Sequence, residues 1–183
     1  MRLFIAIEVP EDVKGYLSAV QEKISNDVAN KIRPVNKNQI HLTLKFLGEV
    51  QQDKAEKIKN ELKKIAFSPF SVCLDKIGVF PSESYIRVVW VGLKPEEPVL
   101  ELQKTIDESL KKMFKKEKDF KAHITLARVK FIGNKEEFVE KLKKIKVENK
   151  KIEVNNFKLV RSTLTPQGPV YEEVESFDII DNI

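Results

Sequence analysis

Residues 41–48 read His41-Leu42-Thr43-Leu44-Lys45-Phe46-Leu47-Gly48, and residues 123–128 read His123-Ile124-Thr125-Leu126-Ala127-Arg128. The two stretches hold the only two histidines of the 183-residue chain. Each histidine is followed by an aliphatic residue, then Thr, then Leu. On ordinary residue usage a given histidine meets that Thr-Leu pattern about once in two hundred times. Side chains of a strand alternate between its faces. His41 and Thr43 therefore share one face and Leu42 and Leu44 the other, with His123 and Thr125 divided in the same way from Ile124 and Leu126. Each motif is a strand anchored by aliphatics behind and presenting an imidazole and a hydroxyl in front.

Around the motifs the chain repeats itself. A strand is predicted over 3–9, then a helix from Pro10 on which Val13, Leu17, Val20, Ile24 and Val28 recur at helical spacing to about residue 29. The first motif strand (40–47), a helix over 52–66 and a strand over 70–80 follow. After a turn at 81–84, the second half offers a strand over 85–91 and a helix opened by Pro95 that carries Val99, Leu102, Ile106, Leu110 and Met113. The second motif strand (122–131), a helix carrying Phe138, Leu142 and Ile145, and a strand near 151–163 complete the copy. One extra strand, near 170–180, closes the chain. Ile7 precedes His41 by 34 residues and Val89 precedes His123 by 34, which aligns Ile7 with Val89. The pattern predicts an α+β fold: one domain, 1–183, of two repeat-related lobes with approximate halves 1–83 and 84–183. In this bilobal, pseudo-two-fold arrangement, two antiparallel or mixed sheets flank a central cleft with helices on the outside.

Composition narrows the function classes. Charged residues make up 33% and hydrophobic residues 42%, as in a globular protein with a charged surface, and the net charge of +5 suits a polyanion such as RNA. The single cysteine, Cys73, rules out an intrachain disulfide and a cysteine-cluster metal site, and reads as a small packed strand residue. The N-terminal apolar run is broken by Glu8, too early for a signal sequence, and no run is long enough to span a bilayer. The expectation is a cytoplasmic, monomeric protein without membrane contact.

Histidine is the side chain that holds or releases a proton near neutral pH without special tuning. Two such groups facing each other across a pseudo-symmetric cleft suit in-line displacement at phosphorus, where a base and an acid must stand on opposite sides. Thr43 and Thr125 would hold the non-bridging phosphate oxygens as charge develops. Two histidines without further ligands fall short of a zinc site, so neither metal nor cofactor is expected.

The paired His-x-Thr-x motifs resemble those of the two-histidine (2H) phosphoesterase superfamily, and within it the RNA 2′,3′-cyclic phosphodiesterases, also called 2′-5′ RNA ligases. The resemblance spans nearly the whole chain, with Arg2–Ile7 and Leu159–Ser162 in support of the motifs. It implies hydrolysis of an RNA terminal 2′,3′-cyclic phosphate to a 2′-phosphomonoester. His41 would be the proton donor and His123 the proton acceptor, and a 5′-hydroxyl replacing water would give 2′-5′ ligation. Two other readings remain open: a non-catalytic basic protein that binds RNA ends, and a phosphodiesterase for small nucleotides such as ADP-ribose cyclic phosphate.

Further substrate contacts are proposed at Arg128, Arg87 and Arg161. Strict alternation would turn Arg128 away from His123 unless a bulge re-aims it. Phe46, Phe80, Tyr85 and Trp90 are candidates for base stacking or for the core, and the lysines of 111–118 and 141–151 read as solvated surface.

Overall fold

Leu3, Phe4, Ile5, Ala6 and Ile7 are all buried, as in a strand covered on both faces. This strand, β1 (Arg2–Glu8), lies inside a sheet of nine antiparallel strands in the computed structural model, which describes residues 1–178. The others are β2 (Lys31–Pro34), β3 (His41–Glu49), β4 (Phe70–Ser82), β5 (Tyr85–Lys94), β6 (His123–Phe131), β7 (Lys151–Val154), β8 (Asn156–Thr165) and β9 (Gly168–Asp178). Helices α1 (Glu11–Ser25), α2 (Gln52–Leu62), α3 (Glu97–Leu110) and α4 (Lys135–Lys144) bury their apolar stripes against it.

The sheet order is β7-β4-β5-β6-β3-β1-β8-β9, with β2 beside β6. The two expected sheets are thus two wings of one α+β sheet. They meet where β3 and β6 pair at Leu42 and Ile124, the aliphatic residues beside the two histidines. The wings do not follow the order of the chain. β4, from the first half, pairs with β5, whereas β8, from the second, pairs with β1. The stretch 151–163, predicted as one strand, is accordingly two: β7 pairs with β4, the chain crosses at Asn155, and β8 pairs with β1. The apolar alternation slips by one residue at the crossing, from Ile152 and Val154 before it to Phe157 and Leu159 after it, and Asn155-Asn156 is the local mark of the break.

Register corrects the alignment of the repeat. Ile7 lies opposite Leu42, and Val91 lies opposite Ile124. Val91, not Val89, is therefore the counterpart of Ile7, because the connection through α3 is two residues shorter than the one through α1. Helix α1 stops at Ser25, and Val28, predicted on its apolar face, is fully exposed. Strand β2 escapes prediction because its four residues, Lys31-Ile32-Arg33-Pro34, carry three that are charged or ring-closed. Of the closing strand predicted to residue 180, the last two residues lie outside the described residues. No helix among the described residues is long and apolar enough to cross a membrane.

Candidate active site

Both motif strands break their alternation at the same place. In β3, Thr43 pairs with Ala6 and Lys45 with Ile5, so Leu44 is an extra residue; in β6, Thr125 pairs with Trp90 and Ala127 with Val89, so Leu126 is extra. A bulge of this kind shifts every later side chain to the other face. Two consecutive residues, Leu44-Lys45 and Leu126-Ala127, turn into the core, and Phe46 and Arg128 return to the face of the histidines. The bulge is the condition under which Arg128 reaches the site, and it is met.

The cleft so formed has a volume of about 520 Å³ and is lined by His41, Thr43, Phe46, His123, Thr125 and Arg128, with Arg33, Gln39 and Tyr171 around them. Phe46 is 69% exposed, an apolar ring standing in the mouth of a polar cleft. The tip of the β8–β9 hairpin leans over one side, where Gln39 Nε2 donates to the Pro169 carbonyl. Gly168, at φ +123°, makes the turn there, and a Cβ on it would come within 3.5 Å of an Arg33 guanidinium nitrogen.

Both imidazoles are held by the same device. His41 Nδ1 is 2.6 Å from the Gln39 carbonyl, and His123 Nδ1 is 2.7 Å from the Lys121 carbonyl. A carbonyl can only accept, so Nδ1 carries the hydrogen in both rings and each neutral imidazole keeps its lone pair on Nε2. Thr43 Oγ1 lies 2.8 Å from His41 Nε2 and donates to it when the ring is neutral. Aromatic rings fix the planes. Phe4 and Tyr171 lie 4.9 and 5.4 Å from His41, and Phe80 and Trp90 lie 4.9 and 6.2 Å from His123, centroid to centroid. Burial pushes both histidines below the ordinary imidazole range; the carbonyl bonds oppose this, and nearby cations (Lys14 and Arg128 at His41, Lys121 at His123) add to it.

Of the arginines named from sequence, only Arg128 lines the cleft. Arg87 packs over the Tyr85 ring at 4.7 Å and donates to its hydroxyl on an exposed part of β5. Arg161 pairs with Glu172 across the hairpin at 2.9 Å; its neighbour Val160 faces the cavity beside His41, so Arg161 is on the other face. Phe80 and Trp90 are stacked 4.9 Å apart beneath His123, and Tyr85 is exposed beside Arg87. Sequence reasoning missed Arg33, Gln39 and Tyr171. They come from β2, from a short turn and from β9, and only the fold brings them to the motifs.

A larger hollow, about 860 Å³, lies between α3 and residues 116–120 and includes neither histidine. Lys111 and Lys116 there are engaged by Glu108, whose carboxyl they hold down at about 2. Among the described residues, no three His, Cys, Asp or Glu side chains converge as metal ligands. The cleft can thus supply two imidazoles whose Nε2 atoms carry no hydrogen when neutral, two hydroxyls, and the guanidiniums of Arg33 and Arg128.

The LigT-like phosphoesterase family model matches the chain twice, over residues 7–90 and 91–171. The RNA 2′,3′-cyclic phosphodiesterase of Methanocaldococcus jannaschii is 40% identical, over 97% of this chain and 100% of its own length. That of Archaeoglobus fulgidus is 35% identical over the same shares. The crystal structure of TT0787 from Thermus thermophilus superimposes with a TM-score of 0.80 at 30% identity, covering 98% of both chains. With the family model matched across both motifs and such relatives matched end to end, the chain belongs to the LigT-like phosphoesterase family.

Proposed function

We propose that the protein is an RNA 2′,3′-cyclic phosphodiesterase in which the two histidines exchange protons with the reacting phosphate. The observation that carries the reading is the pair of Nε2 atoms, each freed by a backbone carbonyl on Nδ1 and each lining one cleft. Its relatives' shared activity supports the substrate class.

In this reading His123 takes a proton from water through Nε2. The water oxygen bonds to phosphorus, the bond from phosphorus to the ribose 3′-oxygen breaks, and His41, protonated at Nε2, gives its proton to that oxygen. A 2′-phosphomonoester and a 3′-hydroxyl result. Thr43, Thr125 and Arg128 hold the non-bridging oxygens, the guanidinium offering the strongest of these contacts because it is charged. Each proton transfer by a positioned side chain contributes about 10²–10⁴-fold in rate. Burial lowers the pKa of both rings, which keeps the base neutral and suits His123 directly. At His41 the anionic phosphate must restore the proton that burial disfavours, since a nearby negative charge stabilises imidazolium. A 5′-hydroxyl in the place of water would run the same steps to a 2′-5′ linkage.

Together the two wings form one catalytic unit, assembled from two copies of a duplicated sequence. The protein acts as a cytoplasmic monomer on RNA ends. The test is product identification on an RNA ending in a 2′,3′-cyclic phosphate, with a chelator present and with or without a 5′-hydroxyl acceptor. The expected product is the 2′-phosphate, unchanged by the chelator. A bound but unaltered RNA would instead support a non-catalytic end-binding protein.

A further inference from the structure

Behind each motif strand lies a buried polar group that the reaction does not use. Gln21 on α1 and Asp107 on α3 are each the eleventh residue of their helix, counted from Glu11 and Glu97, and each is 5% exposed. Gln21 Nε2 donates to the Val35 carbonyl at 2.8 Å and to the Leu126 carbonyl at 2.7 Å. Asp107 accepts from Lys45 Nζ at 2.5 Å and from the Glu117 backbone N–H at 2.8 Å. Val35 and Glu117 each sit six residues before a histidine, on the segments that end in the carbonyls of Gln39 and Lys121. Leu126 and Lys45 belong to the bulges of the opposite motif strands.

The connections therefore cross. Gln21 ties the approach to His41 onto the strand of His123, and Asp107 with Lys45 ties the approach to His123 onto the strand of His41. On the first side β2 also forms a backbone ladder with β6. Among the described residues nothing equivalent pairs with β3, and there Lys45 reaches across to donate to the Lys115 carbonyl at 2.8 Å. Gln103 adds a bond to Asp107 at 2.9 Å, so the pair is hydrogen-bonded on both sides. A buried ion pair is a weak source of net stability, since desolvation offsets much of the attraction. Its directional bonds do restrict how two strands sit relative to each other.

We propose that Gln21 and the Lys45–Asp107 pair are positioning residues, two crossed braces that set the placement of His41 and His123 relative to each other for proton transfer. Misplacing reacting groups by about 1 Å can cost about 10²-fold in rate without loss of the fold. The inference rests on the proposed function for its catalytic consequence but not for its geometry. Two variants test it: the double variant Lys45→Met with Asp107→Leu, which removes both buried charges together, and Gln21→Met, which removes no charge. Each is compared with the natural protein by ¹⁵N NMR of the two imidazoles and by kcat and KM on 2′,3′-cyclic AMP.

In a variant that melts cooperatively, the ring-nitrogen signals of the histidine whose approach segment was untied should shift: His123 in the double variant and His41 in Gln21→Met. The same variants should lose about tenfold to a hundredfold in kcat, with KM changing less than about threefold. Histidine spectra and kcat that both stay at the natural values overturn the braces, as does either one staying put while the other moves. Should the double variant fail to fold, Gln21→Met decides alone. If the natural protein itself does not turn over cyclic AMP or cyclic-phosphate RNA, the functional reading falls and the spectra alone judge the braces.

Discussion

Position for position, the two motif strands are one design filled in twice. His41 matches His123, Thr43 matches Thr125, and both strands bulge at the leucine that follows. Then they diverge. Lys45, charged and 2% exposed, stands where the other strand has Ala127, and Phe46 stands in the cleft where the other strand has Arg128. The backbone duplicates the histidine and threonine pair, whereas the two residues after each extra leucine decide what surrounds it. Duplication thus supplies symmetry for the chemistry, and the departures from it give the cleft a cationic side and an apolar side. A cyclic nucleotide has the same polarity, a phosphate at one end and a base at the other.

The comparison breaks most visibly if the histidines are not equivalent in necessity. His41→Ala and His123→Ala should each lower kcat on cyclic-phosphate RNA by about 10²–10⁴-fold with little change in melting temperature. A variant keeping near-natural turnover would remove its histidine from the mechanism. Next in size is the contrast behind the strands. Lys45→Ala alone leaves Asp107 buried without its cation and should cost about 3–5 kcal/mol in urea unfolding. Burial tends to raise the Asp107 carboxyl, but the Lys45 ammonium and the Gln103 and Glu117 hydrogen bonds outweigh it and hold the carboxyl below its usual range.

The contrast within the cleft should be smaller and should divide between two measurements. Arg128→Ala should reduce kcat/KM by the worth of a charge-assisted hydrogen bond, about 1.5–3 kcal/mol or roughly 10–100-fold. Phe46→Ala should act through KM, by the worth of one stacked base, about 1–3 kcal/mol. Equal effects of Phe46→Ala on a nucleotide and on a cyclic phosphate lacking a base would show that the ring does not stack.

The subtlest effect is on pH dependence. Burial holds both histidines below the ordinary imidazole range, so the proton that the proposed mechanism requires on His41 should be lost at lower pH than usual. The alkaline limb of kcat/KM should then fall below about 6.5, and that of kcat, measured with phosphate bound, should lie higher. The apparent values belong to the coupled pair. The same depression has a sign for stability. Neutral imidazole is favoured in the folded state, so its contribution is fully present above about pH 6.5 and is lost as pH falls through the folded-state values. His41→Ala should flatten the fall in unfolding free energy over that window.

Much of this was legible in residues 41–48 and 123–128. A face of His and Thr backed by aliphatics needs only strand alternation to be read, and the second copy turns one polar strand into a pair. Arg128 was readable as a cleft residue only on condition of a bulge, because two-residue periodicity, taken strictly, sends it into the core. Val28 fits the helical stripe by spacing alone, yet α1 has ended three residues earlier, at Ser25. The crossing at Asn155 shows only as a one-residue slip in the alternation, from Ile152 and Val154 to Phe157 and Leu159, which marks a break but not which strands the two parts pair with.

By itself the sequence determined the duplicated strand-and-helix order, the two histidines and the hydroxyl that shares a face with each, because these depend on neighbours along the chain. Only the tertiary structure decided which strands of the two halves would pair, which arginine would enter the cleft, and that Gln39, Tyr171 and Arg33 would surround it. It also decided that Asp107 would lie under β3 and Gln21 under β6. Those outcomes depend on hydrogen bonds and packing between residues far apart in the chain, where local periodicity carries no information about the partner.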